Sequence, residues 1–84
     1  MLNMFYIYIL QSQKNKRLYT GSTNSIIRRL KEHNSGNSKY TKLTRPLKLL
    51  YTEKFITRSE AIKREKFLKS GIGREWIKNS IIKK

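Results

Sequence analysis

The chain has 84 residues, of which 20 are Lys or Arg and only 5 are acidic, for a formal charge of +15. That length suits one small domain with a modest core, and that charge makes a polyanion, above all nucleic acid, the natural partner. Cysteine is absent, which excludes disulfides and thiolate metal sites, and no apolar run approaches membrane-spanning length.

The basic residues are spread along the sequence rather than gathered in a tail, so the charge belongs to the folded surface. Residues 1–7 lack the basic start and small-residue cleavage site of a signal peptide, and a cytoplasmic location with no membrane contact is expected. Residues 4–11 are aromatic and β-branched and read as a strand. In it Tyr6 and Tyr8 share one face and Ile7 and Ile9 the other. A polar turn over 12–16 leads to a second short strand over 17–21. The two pair as a hairpin that brings Tyr19 towards the other tyrosines.

Gly21 to Ser25 supply turn and N-cap chemistry for a helix over 25–34. Ile26, Ile27 and Leu30 form its apolar stripe, Arg29 and His33 lie side by side at the stripe's edge, and Gly36 ends it. Residues 35–46 form a polar, basic loop, and 47–53 a third strand. Thr57 and Glu60 fit a capping box that opens a helix over 59–70. Ala61, Ile62 and Leu68 face inward there, with Phe67 a further candidate. Gly71 and Gly73 are expected to break this helix before a third one, over 74–82, that carries Trp76, Ile77 and Ile81. Repeats and low-complexity segments are absent, and no linker divides the chain, so 1–84 is taken as a single domain.

All five carboxylates are Glu. Glu32 is expected to face solvent, Glu53 to close a strand, Glu60 to cap a helix, and Glu75 to sit in a first turn where the helix dipole favours an acid. Glu65 has no such role. It falls with Ala61 and Leu68 at i, i+4 and i+7 and projects from or beside the buried stripe. A charge there needs a basic partner or a metal, and spacing leaves both readings open. One carboxylate suffices for Mg²⁺ where waters and a phosphate complete the shell. Arg29 has the planar fork that suits phosphate oxygens, and His33 beside it can donate to phosphate or shuttle a proton. Taken singly, a solvated Arg and a His covering a helix edge are ordinary. Tyr8 and Tyr19 are equally ordinary as core residues, because a phenol is a poor base unless a cation lowers its pKa.

The ordered series is not ordinary. Tyr6-Ile7-Tyr8, then Tyr19-Thr20-Gly21 followed by Ser22-Thr23-Asn24, Arg29 eight residues past Gly21, His33, and finally Glu65 resembles the GIY-YIG nuclease domain. The likeness covers nearly the whole chain. It is to the small standalone bacterial members related to the UvrC incision domain. Two departures stand out: Tyr6 replaces the first Gly of the name, and Thr20 its second Ile. The segment from Lys39-Tyr40-Thr41 through Arg45-Pro46-Leu47, ending near Tyr51, also resembles the loop and third strand of the standalone members.

The resemblance implies an α+β fold, a small three-stranded antiparallel sheet flanked by about three helices. It implies an endonuclease that hydrolyses a DNA phosphodiester with Mg²⁺ or Mn²⁺, directed by structure or damage, as in DNA repair. Glu65 would hold the metal and Arg29 would stabilise charge on the phosphate. Tyr8 or Tyr19 would deprotonate the attacking water with His33 assisting, and which tyrosine does so is open. Lys39, Lys42, Arg45, Arg74 and Lys78 are candidate phosphate contacts on the nucleic acid. The alternative is a module that binds DNA or RNA on the same fold without cutting it.

Overall fold

The computed structural model describes residues 4–36 and 43–82. In chain order these form β1 (Phe5–Ser12), β2 (Leu18–Thr23), α1 (Ile26–Asn34), β3 (Leu47–Phe55), α2 (Arg58–Lys69) and α3 (Gly71–Ile77), closed by a π-helical turn, Lys78–Ile82. The sheet is antiparallel with order β2-β1-β3, so β1 is central and β2 is an edge. This is the expected α+β architecture. Among the described residues no helix is long and apolar enough to cross a membrane.

Strand alternation decides what each face buries. Ile7 and Ile9 point to one face and pack with Ala61 and Leu68 of α2 and Ile77 of α3. Tyr8 and Leu10 point to the other, with Leu47, Tyr19 and Leu30 of α1. Both faces of the central strand are therefore covered, which is why Ile7 through Leu10 are buried without a break. The pairing of β1 with β3 shifts between Ile9 and Leu10: Tyr51 faces Ile9 and Leu49 faces Leu10. Leu50 is the extra residue of this bulge, and it lets the neighbours Leu50 and Tyr51 pack on the same Ile7–Ile9 core while Leu49 serves the other.

Helix boundaries follow side-chain chemistry. The Ser25 side chain accepts from the Arg28 amide, and Gly36 follows the end of α1 with φ of +88°, a left-handed conformation that suits Gly. Thr57 accepts from the Glu60 amide and donates to the Glu60 carboxylate. Ser70 ends α2 and starts α3: its amide donates to Phe67 O and its side chain accepts from the Gly73 amide.

Several sequence expectations need correction here. The second helix does break here, but at Ser70, which is extended, and Gly71 and Gly73 belong to the first turn of α3. A Cβ on Gly73 would lie 1.9 Å from Phe67 O, so Gly73 is there because α3 turns hard against the end of α2. The third helix thus starts earlier than expected, ends at Ile77 and continues as the π-helical turn. Ile27 is 73% exposed rather than part of the stripe, because α1 reaches the sheet through Leu30. Ile62 and Phe67 also lie at the surface, and Phe67 sits under the Arg64 guanidinium at 5.1 Å.

Candidate active site

An open cleft of about 1050 Å³ runs along the edge strand β2. Tyr8, Tyr19, Arg29, His33 and Glu65 all line it, drawn from β1, β2, α1 and α2. The strand explains how one cleft collects residues from two faces. Gly21 is paired with Tyr8 and Tyr19 with Leu10, so these side chains belong to the α1 face. Leu18, Thr20 and Ser22 alternate onto the α2 face, where Glu65, Leu68 and Lys69 complete the wall.

Tyr8 is the hub on the α1 side. Its hydroxyl accepts from Arg29 Nε at 3.4 Å and lies 3.5 Å from His33 Nε2. These contacts are at the long end of hydrogen-bond range. Which of the two donates is set by the imidazole tautomer: with Nε2 free of hydrogen, the phenol donates to it. The Tyr8 and His33 rings meet edge-to-face at 6.1 Å. Gly21 makes the arrangement possible: a Cβ there would fall 2.3 Å from the Tyr8 hydroxyl oxygen. The Gly of the second half-motif is thus the floor on which the Tyr of the first half-motif rests.

Charge on this side is tuned by contact. The Tyr8 hydroxyl, against the cost of burial and with help from Glu32, pushes Arg29 above its ordinary guanidinium value. Burial first, and the Arg29 charge second, push His33 below the ordinary imidazole value of 6.5, so it is neutral at neutral pH. Glu32 does not simply face solvent as expected: its carboxylate accepts from Arg29 Nη1 at 2.7 Å and lies 3.5 Å from Arg28 Nε. The spacing of three and four residues on a helix is the signal that could have found both pairs.

Tyr19 is engaged differently. Its hydroxyl donates to Thr44 Oγ1 at 3.0 Å. Thr44 is held in turn by Ser12, whose hydroxyl donates to the Thr44 carbonyl. The Asn34 side chain docks the end of α1 on the start of β3, donating to Leu47 O at 3.1 Å and accepting from Leu47 N at 2.6 Å. Nothing in the sequence pattern marked Thr44 or Asn34.

On the α2 side, Glu65 is the one carboxylate lining the cleft among the described residues, and its side chain is 20% exposed. It sits beside the buried stripe, as its spacing from Ala61 and Leu68 predicted. Lys69 Nζ pairs with it at 2.7 Å, so the basic-partner reading is realised in this structure. No group of three or more His, Cys, Asp or Glu side chains placed to hold a metal occurs among the described residues. The donor set therefore fits a hard ion of the Mg²⁺ class held by one carboxylate, with water and phosphate oxygens completing the shell, and fits no all-protein cage. Lys69 would have to turn aside for that.

Of the candidate phosphate contacts, Arg74 lines the cleft, together with Arg17, which sequence reasoning missed. Lys78 is exposed on the π-helical turn and Arg45 reaches the Asn34 carbonyl at 3.5 Å; neither lines the cleft. Lys39 and Lys42 lie outside the described residues.

Comparison with known proteins gives a consistent pattern. The family model described as the GIY-YIG catalytic domain matches residues 4–77. A UPF0213 protein of Staphylococcus saprophyticus is 46% identical over 70 residues, covering 82% of this chain and 84% of its own. A UPF0213 protein of Clostridium perfringens is 46% identical over 67 residues, covering 79% of this chain and 71% of its own. The solution structure of a UPF0213 protein from Bacillus halodurans is similar with a TM-score of 0.54 at 35% identity, covering 88% of this chain and 81% of that one.

Proposed function

The chain belongs to the GIY-YIG catalytic-domain family, and from that premise we propose that it is a metal-dependent endonuclease acting on DNA, directed by structure or damage rather than by base sequence. The observation that carries this reading is the convergence of Tyr8, Tyr19, Arg29, His33 and Glu65 on one cleft of a protein with a formal charge of +15. A polyanionic strand is drawn to such a surface, and the cleft offers a fixed cation, a neutral base and a carboxylate.

In this reading Arg29 binds the scissile phosphate. Glu32 and Tyr8 hold its guanidinium in place, so little reorganisation accompanies the growth of negative charge on the phosphate oxygens. Tyr8 rather than Tyr19 handles the water proton. Its hydroxyl lies between a guanidinium that stabilises phenolate and a neutral imidazole that can take the phenol hydrogen. As Tyr8 passes its proton to His33 Nε2, its oxygen can accept one from the attacking water. Tyr19, tied to Thr44, shapes the cleft wall beside it. Glu65 would hold Mg²⁺ or Mn²⁺. The ion, when bound, neutralises charge on the leaving oxygen.

A second reading has one specific observation in its favour. The Glu65–Lys69 pair is complete without a metal, as it would be in a module that binds nucleic acid and leaves it whole. A cleavage panel separates the two. Purified protein is incubated with branched, nicked and single-stranded DNA and RNA in Mg²⁺ or Mn²⁺, beside Glu65→Ala. Metal-dependent nicking by the wild type and none by Glu65→Ala, with binding retained, supports the nuclease. Binding without cutting of any substrate makes the binding module the better description, and unchanged cutting by Glu65→Ala removes Glu65 as the metal ligand.

A further inference from the structure

A second opening, of about 300 Å³, continues the cleft past the start of α1. It shares Ser22 and Arg29 with the cleft and adds Phe5, Arg28 and Arg58. Among the described residues three guanidinium groups therefore line it, and no carboxylate does. The reaction as derived uses only Arg29. Arg28 is tethered, its Nη2 donating to Asn24 Oδ1 at 2.7 Å, with Glu32 at 3.5 Å from its Nε. The Arg58 guanidinium carbon lies over the Phe5 ring, 5.2 Å from its centre, and Arg58 forms no ion pair among the described residues. A cation–π contact uses the guanidinium's charge and none of its N–H donors, and a fork of that shape matches phosphate oxygens.

The geometry points to a second phosphodiester site: Arg58, with Arg28 beside it, binds a backbone phosphate that neighbours the scissile one on the same strand. This deepens the nucleic-acid reading of the cleft and rests on it. Because the opening and the cleft share Arg29, a strand leaving the scissile position runs directly into the opening. Contacts of this kind set the register of the strand and read no bases.

The test is binding without metal, so that cutting plays no part. A fluorescent single-stranded 12-nucleotide DNA is titrated in EDTA at several salt concentrations. Arg58→Gln should weaken binding three- to tenfold at about 0.1 M salt and lower the slope of log K against log salt by about 0.7, the value for one phosphate contact on a single strand. Arg58→Lys, which keeps the charge, should retain the slope. The control is Lys48→Gln, an equal charge loss: Lys48 pairs with Gln11 at the far end of the β1–β3 ladder from Phe5. Arg58 is exposed, so its variants should melt as the wild type does. If Arg58→Gln matches Lys48→Gln in slope and affinity, or if Arg58→Lys loses the slope as fully as Gln, the site is wrong. A protein that binds in this Arg58-dependent way yet cuts nothing keeps the site and loses the nuclease. One that cuts with unchanged KM after Arg58→Gln keeps the nuclease and loses the site.

Discussion

The Arg64–Glu53–Tyr51 group on one face of the sheet and the Arg29–Glu32–Tyr8 group on the other are built from the same three residue types. Arg64 donates to both Glu53 oxygens, at 2.8 and 2.9 Å, and Tyr51 donates to one of them at 2.5 Å. The Arg64 guanidinium lies between the Trp76 ring at 4.9 Å and the Phe67 ring at 5.1 Å. That group is closed: a bidentate pair covered by aromatics, with Arg64 29% and Glu53 19% exposed. In the cleft Arg29 spends one nitrogen on Glu32 and one on a long contact to Tyr8, and it opens onto the space that Glu65 also lines. Residue type does not separate a strut from a site. Donor capacity left facing a cavity does.

The comparison is broken most directly by Arg29→Ala. If Arg29 meets the phosphate as charge develops, kcat should fall about 10³-fold. Stability should change by less than about 1 kcal/mol, because the Arg29–Glu32 pair is a third exposed. Single-turnover cleavage and thermal melting check the two halves. A tenfold loss or less would leave Arg29 a surface cation.

Gly21→Ala should come next. The new methyl group would stand 2.3 Å from the Tyr8 hydroxyl oxygen, so the phenol must shift away from Arg29 and His33. A displacement of that order costs about 10²-fold in rate where the group is part of the chemistry. Oligonucleotide affinity should hold, since the charges stay in place. An equal fall in affinity and rate would mean the strand itself had moved.

Arg64→Ala reverses the pattern. It strands a partly buried carboxylate and uncovers Trp76, for a loss of about 2 kcal/mol and a Tm lower by about 10 °C. Cleavage measured below the new Tm should stay within about twofold of wild type. A large loss of rate with little loss of Tm would put the closed group in the reaction.

The two groups differed in how legible they were. Arg29, His33 and Glu65 could be placed because helical spacing fixes which side chains share an edge, and the order of the motifs does the rest. Glu53 was expected only to close a strand. Its partner Arg64 is eleven residues away across a turn, and no local period connects them. The π-helical turn, the early start of α3 and the exposure of Ile27 were missed for the same reason. Each depends on how one element meets another, as when Gly73 admits the Phe67 carbonyl. Tyr8 and Tyr19 looked equivalent in sequence because alternation gives a face but not a partner. Their hydroxyls differ through Thr44, which sits in a loop with no repeating pattern.

Acid should dismantle the two regions in sequence, and this is the smallest of the expected effects. In the fold His33 is held neutral, its imidazole pushed below 6.5 by burial and by Arg29. Below 6.5 the unfolded chain takes up a proton that the folded chain refuses, so stability falls as pH drops from 6.5 to the lower folded value and then levels. Glu53 behaves oppositely. Burial works against its charge, but the Arg64 fork and the Tyr51 hydroxyl prevail and hold its carboxyl below the ordinary 4.5. Its contribution is complete above 4.5 and is lost as pH falls through the folded value. A Tm profile from pH 8 to pH 3 should therefore show an upper step that His33→Gln removes and a lower step that Arg64→Ala reduces. Persistence of the upper step in His33→Gln would mean that the cleft does not keep its imidazole neutral, and the proton path from Tyr8 to His33 would lose its acceptor.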